Sequence, residues 1–173
     1  WVASKAISDA VRKSNALSGT VIVMDPKTGH ILAHATAPTF DPNNTKNVSP
    51  ALMRNPSVQD VYEPGSTGKV MTLAAALEEK KITPETVLTV PYSIKRGGDT
   101  FHDHERHPVQ QLTTSGILAV SSNTGTIQIG EMLSNNSLHD YLTKFGIGTS
   151  TGSGLPGESA GLFRPVSDWS GTT

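Results

Sequence analysis

Tyr62-Glu63-Pro64-Gly65-Ser66-Thr67-Gly68-Lys69 runs directly into the apolar, helix-favouring stretch Val70 to Lys80, and this junction decides how the chain is read. Pro64 and Gly65 are turn residues that stop the preceding segment, so Ser66 falls in the first turn of a helix and Lys69 follows on the same face. Residues three apart along a helix are neighbours in space. A serine hydroxyl is a weak nucleophile until a nearby base takes its proton, and lysine serves as that base when burial or neighbouring cations lower its pKa. Ser66 is therefore the candidate nucleophile and Lys69 its candidate base. The pair alone is unspecific, because a helix-start serine with an exposed lysine after it is a common pattern. Ser121-Ser122-Asn123 adds a second element, set between the apolar run Gly116 to Val120 and the helical pattern Thr124 to Leu133.

The rest of the chain places these elements. Trp1 to Ser14 carries Val2, Ala3, Ala6, Ile7, Ala10 and Val11 at the three-and-four spacing of an amphipathic helix, expected to pack on a sheet. Val21 to Met24 and Ile31 to Ala35 read as antiparallel strands of a hairpin. Lys27-Thr28-Gly29 lies at its tip, because Asp25-Pro26 opens a turn and Gly29 closes it. Pro38, Pro42 and Pro50 make Ala37 to Ser49 an irregular surface segment. A short helix over Ser49 to Asn55, a long one over Ser66 to Lys80 and an extended piece over Thr86 to Tyr92 follow. Helices over Thr113 to Ser121, Thr124 to Leu133 and Ser137 to Phe145 come next, the last closed by Gly146. The pattern defines a mixed α/β (α+β) class with a largely helical lobe.

A serine with lysine three residues on, a Ser-x-Asn element and a Lys-Thr-Gly element together mark penicillin-binding proteins and class A β-lactamases. The first two occur here in that order. With the hairpin Gly19 to Ala33, the segment Pro38-Thr39-Phe40-Asp41-Pro42-Asn43 and the late loop Leu155-Pro156-Gly157-Glu158, nearly the whole chain resembles the transpeptidase domain of a class B penicillin-binding protein, of the division-associated, actinobacterial-like type. In that family the catalytic Lys-Thr-Gly lies on a strand downstream of Ser-x-Asn, so Lys27-Thr28-Gly29 is a turn and not the third motif. The chain is read as residues 1–173 of the N-terminal part of the domain, stopping at Gly171-Thr172-Thr173 short of the third motif, with the remaining C-terminal strands absent and the sheet incomplete.

The resemblance implies a peptidoglycan D,D-transpeptidase in which Ser66 forms an acyl-enzyme with a stem peptide and β-lactams imitate the donor. Lys69 is then the base, and Ser121 relays a proton between Lys69 and the leaving group. Asn123 donates its amide to the substrate backbone and holds Lys69 by its oxygen, while Ser122 points away. One oxyanion donor is the Ser66 N–H; the other belongs to the third-motif strand, so the chain alone is expected to be nearly inert. No cofactor is implied. The implied partners are peptidoglycan stem peptides, β-lactam antibiotics, division proteins and a glycan polymerase. The implied location is the extracytoplasmic face of the membrane, anchored by a segment upstream of this sequence. A D-alanyl carboxypeptidase or serine β-lactamase shares the motifs, and a catalytically silent β-lactam sensor or division scaffold is the non-enzymatic alternative.

Composition is compatible with this reading. At 173 residues and 35% hydrophobic content the chain can bury a core. A formal net charge of −1 offers no basic field for nucleic acid. No stretch reaches the ~20 apolar residues of a membrane span. His102-Asp103-His104-Glu105-Arg106-His107 has the residue types of a zinc site, but Gly97-Gly98-Asp99 before it and Pro108 after it mark an irregular loop, which is the preferred reading. The resemblance implies that this region runs between the two motifs and approaches the second, so Asp103 or His104 is expected to help position it. His30, His34 and His139 read as isolated surface or packing residues, Phe40 and Trp169 as covers for apolar surface. Gly68, in a helix interior, points to close packing by a neighbour.

Overall fold

A computed structural model describes residues 1–170, so Gly171, Thr172 and Thr173, where the chain is read as ending early, lie outside the described residues. The chain divides into two compact units: Trp1–Val61 with Gly152–Ser159, and Tyr62–Thr151 with the segment beginning at Ala160.

In the first unit, helix α1 (Val2–Ser14) precedes strands β1 (Gly19–Met24) and β2 (Ile31–Ala37), which pair antiparallel from Gly19 opposite Ala37 to Val23 opposite Ala33, with an irregularity before Met24. The turn forms as its residues dictate. The Asp25 carboxylate accepts from Lys27 N at 2.8 Å, its carbonyl accepts from Gly29 N at 2.8 Å, and Gly29 has φ 73°. Lys27 and Thr28 are thus at a hairpin tip, as expected. Helix α1 lies so close to β1 that a Cβ at Gly19 would stand 2.8 Å from Ile7 Cδ1 and 2.9 Å from Val11 Cγ2. The expected helix over Ser49 to Asn55 is only a 3-10 turn, Pro50–Leu52, and the short helix α2 (Pro56–Gln59) follows it. Asn55 caps α2 by accepting from Ser57 N, and the Ser57 hydroxyl donates to Asn55 Oδ1 at 2.6 Å. His34 is not isolated: its Nε2 lies 2.5 Å from the Ser57 hydroxyl.

The second unit is the helical lobe. Helix α3 (Lys69–Glu78) is rich in strong helix formers, and its buried Leu73, Ala75 and Ala76 meet Ile82, Leu88, Val90, Ile117, Ile129 and Leu133 in one core. Strand β3 (Val87–Val90) alternates as a half-buried strand should, with Leu88 and Val90 inward. Strands β4 (Ser93–Arg96) and β5 (Asp99–His102) form a hairpin around Gly97-Gly98, both at positive φ. Strand β6 (Gln110–Thr113) returns to pair with β3. Of the stretch Gly97 to Pro108, read from sequence as an irregular loop, Asp99–His102 is a strand of the β4–β5 hairpin, and residues 103–109 are irregular as expected. The hairpin forms because Gly97-Gly98 makes a two-residue turn, while its polar flanks carry no apolar alternation to announce strands.

Helices α4 (Thr114–Ala119), α5 (Asn123–Gly130) and α6 (Asn135–Lys144) complete the lobe. Gly146, at φ 92°, closes α6 as expected. His139 stacks on Phe163 with centroids 4.4 Å apart, and Trp169 leans on both.

Candidate active site

Ser66 enters the site from a left-handed corner. Gly65 has φ 58° with open space where a Cβ would be, so backbone conformation, and not crowding, calls for glycine there. Gly65–Gly68 then forms a 3-10 turn, which Thr67 ties back to the Pro64 carbonyl through its hydroxyl. Lys69 N donates to the Ser66 carbonyl, and a 3-10 turn eclipses residues three apart. Ser66 and Lys69 therefore overlie one another more directly than an α-helical first turn would place them. Gly68 has ordinary helical angles, and a Cβ on it would meet Pro64 Cγ at 3.5 Å and Met71 Cε at 3.8 Å. That is normal contact distance, so the expectation of close packing is corrected: an alanine fits.

Ser121, Ser122 and Asn123 occupy the junction where α4 ends and α5 begins. Ser121 N donates to the Leu118 carbonyl and Ser122 N to the Ile117 carbonyl, both at 3.0 Å, the pair of bonds that closes a helix on a left-handed residue. Ser121 is that residue, at φ 55°, where glycine is the usual occupant. Ser122 is the N-cap of α5, accepting from Gly125 N at 2.9 Å, and is buried. The two serines thus face different ways, as expected.

This turn presents Ser121 to Lys69. Lys69 Nζ lies 2.5 Å from the Ser121 carbonyl oxygen and 3.1 Å from its hydroxyl. Burial lowers the Lys69 pKa below the ordinary lysine value, partly opposed by the negative charge of Asp103. The lysine is therefore moved toward the neutral form a base requires. The Asn123 amide does not hold Lys69 in the expected way: its Nδ2 donates to the His102 carbonyl at 2.9 Å, and the Ser121 carbonyl takes the place foreseen for its oxygen.

Behind the turn sits Asp103, 6% exposed. One of its oxygens accepts from Asn123 N at 2.5 Å and Thr124 N at 2.9 Å; the other accepts from the Ser122 hydroxyl at 2.7 Å and from His107 Nε2 at 2.9 Å. Burial raises its pKa, but these four hydrogen bonds together outweigh burial and leave it below the usual aspartate value. Of the two residues expected to support the second motif, Asp103 is hydrogen-bonded to Ser122 and Asn123, and His104 is exposed. Among the described residues no three His, Cys, Asp or Glu side chains converge as a metal site would require. A cavity of about 470 Å³ lined by Thr72, Phe101, Ile127, Leu138 and Trp169 touches none of the four candidate residues.

A serine on a 3-10 corner, a lysine three residues on in the same turn and a Ser-x-Asn turn hydrogen-bonded to that lysine make up the candidate site, and comparison gives the family. Residues 19–173 match the penicillin binding protein transpeptidase domain, and the chain belongs to that family. It is 41% identical over 172 residues to penicillin-binding protein PbpB of Mycobacterium tuberculosis, covering 96% of this chain and 25% of that protein. To peptidoglycan D,D-transpeptidase FtsI of Escherichia coli it is 36% identical over 167 residues, covering 96% of this chain and 28% of that protein. The crystal structure of penicillin binding protein 3 from Mycobacterium tuberculosis complexed with aztreonam superposes with a TM-score of 0.92 at 40% identity, over 99% of this chain and 39% of that one. The chain spans about a quarter of the length of the curated relatives it matches.

Proposed function

We propose that this chain carries the nucleophile and base of a peptidoglycan D,D-transpeptidase, and the observation that carries the reading is the double contact of Lys69 Nζ with the carbonyl and hydroxyl of Ser121. That contact links the base to the second motif. Lys69 takes the Ser66 hydroxyl proton as Ser66 Oγ attacks the carbonyl of the penultimate D-alanine. The Ser66 N–H donates to the oxyanion. The bond to the terminal D-alanine breaks, and Ser121 passes the proton from Lys69 to the departing amine. An amine of a neighbouring stem peptide then attacks the Ser66 ester, forming the cross-link and freeing the serine. A β-lactam follows the first half: its ring amide opens on Ser66, and its leaving nitrogen stays attached. The Asn123 side chain, on the same turn, takes the donor peptide in exchange for the His102 carbonyl.

The names of the relatives and the aztreonam complex of the similar structure support the substrate and inhibitor classes. Division proteins and a glycan polymerase as partners, and an extracytoplasmic, membrane-anchored location, belong to the same proposal, because the substrate lies outside the membrane. The test is mass spectrometry of the full-length protein after penicillin treatment: one adduct on the peptide containing Ser66, absent in Ser66→Ala and strongly slowed in Lys69→Ala. An unlabelled Ser66 refutes the enzymatic reading in favour of a silent scaffold, and steady nitrocefin turnover refutes it in favour of a β-lactamase.

A further inference from the structure

The cluster behind Ser121 holds more chemistry than a helix cap needs. Asn123 N and Thr124 N already share one oxygen of Asp103, which satisfies the first amides of α5 and places a negative charge where the helix dipole favours it. The other oxygen takes the Ser122 hydroxyl and His107 Nε2. His107 in turn has Nδ1 2.7 Å from the Pro108 carbonyl oxygen. Both partners of the imidazole are pure acceptors, so both ring nitrogens must carry hydrogen, and only the imidazolium does so. Tyr92 packs edge-on to His107, stacks on His102 and carries Arg106 over its face, while its carbonyl accepts from Asp103 N at 3.0 Å. The charged and titratable groups around Asp103 are therefore His107 in direct contact, Lys69 across the Ser121 turn, and Tyr92, His102 and Arg106 in the surrounding layer.

We propose that Asp103 is a positioning residue for the transpeptidase reaction, fixing Ser121 and Asn123 through the first amides of α5, and that His107 is the proton-bearing clamp that fixes Asp103. The physical link is short. Ser121 is held in the left-handed region by the closure of α4 on one side and by the anchored α5 start on the other. Freeing the Asp103 carboxylate loosens the second anchor, so the Ser121 hydroxyl and carbonyl drift from Lys69. When His107 loses its proton, one of its two bonds must break, and the clamp on Asp103 weakens. The Asp103 charge acts on the base as well, since it opposes the depression of the Lys69 pKa.

This inference rests on the acyl-enzyme reading, and the experiment separates the two. Stopped-flow acylation of the full-length protein by a fluorescent penicillin resolves binding from the acylation step, over pH values spanning the histidine titration. Asp103→Asn keeps shape and can keep hydrogen bonds but removes charge. It is expected to slow the acylation step about 10–100-fold with little change in binding, as misplacement of a supporting shell does. It should also move the acid limb of the pH profile to lower pH, because Lys69 loses the charge that raised its pKa. A merely structural aspartate would lower the melting temperature and leave both readouts unchanged in the folded protein, and that result overturns the proposal. His107→Gln keeps one neutral donor and serves even if Asp103→Asn does not fold. The ratio of wild-type to variant acylation rates should exceed one while His107 is protonated and fall toward one as it deprotonates. A ratio independent of pH refutes the clamp. Absence of acylation in the wild type defeats the transpeptidase reading instead.

Discussion

Replacing Ser121 by glycine and, separately, by alanine isolates the backbone strain at the second motif. Both variants lose the hydroxyl that Lys69 touches and both keep the carbonyl oxygen it also touches. They differ by one methyl group on a residue with φ 55°. In the left-handed region a Cβ crowds the next carbonyl oxygen, which costs about 1–2 kcal/mol. Glycine gives up more chain freedom on folding, an opposing ~0.5–1 kcal/mol. The glycine variant should therefore be the more stable of the two by roughly 0.5–1 kcal/mol, the reverse of the order in an ordinary helix. Urea unfolding followed by circular dichroism reads the difference as separated midpoints at equal slope. Neither variant should be acylated at the wild-type rate, because the proton relay is gone from both. An alanine variant as stable as the glycine variant, at unchanged slope, would show that Ser121 is not left-handed in solution. The account of how this turn aims Ser121 at Lys69 would then fail.

Gly68→Ala should stabilise the protein by about 0.5–1 kcal/mol in the same urea assay, since the position is helical and open to a methyl group. Gly125→Ala should do the opposite despite its better helix propensity. Its Cβ would stand 2.9 Å from both Ile117 Cγ atoms, and Ile117 is fully buried, so overpacking of about 1–3 kcal/mol is expected as a lowered midpoint. The pKa of His107 is raised above its ordinary 6.5, chiefly by the Pro108 carbonyl and then by Asp103. A raised histidine pKa contributes stability that is fully present below the unfolded value and is lost as pH rises through the folded one. The wild-type midpoint should thus decline as pH rises from 6.5 through the raised value, and His107→Gln should be flat there. A parallel decline in the variant would assign the effect to another group.

The residues with local signatures were legible in the chain. Ser66 and Lys69 could be read because a nucleophile and its base sit one turn apart next to Pro64-Gly65, and Ser121 to Asn123 because they interrupt two helical patterns. The hairpin tip at Lys27-Thr28-Gly29 was legible for the same reason: its bonds run within five residues. Strands β4, β5 and β6 were not, since polar residues such as Arg96 and Gln110 share their inward positions, so burial alternates in β4 and β6 without an apolar alternation in the sequence.

The sequence by itself determined which groups are available for chemistry and in what order they come, because nucleophile spacing, turn residues and helical periodicity are local properties. The tertiary structure alone decided how those groups are aimed. Ser121 is left-handed, Lys69 rests on the Ser121 carbonyl as well as its hydroxyl, and Asp103 anchors α5 from 20 residues upstream of Asn123. The last two depend on hydrogen bonds between segments far apart in the chain, and the first on how α4 closes against the start of α5. A buried carboxylate finds its amides only once the helices that carry them have packed.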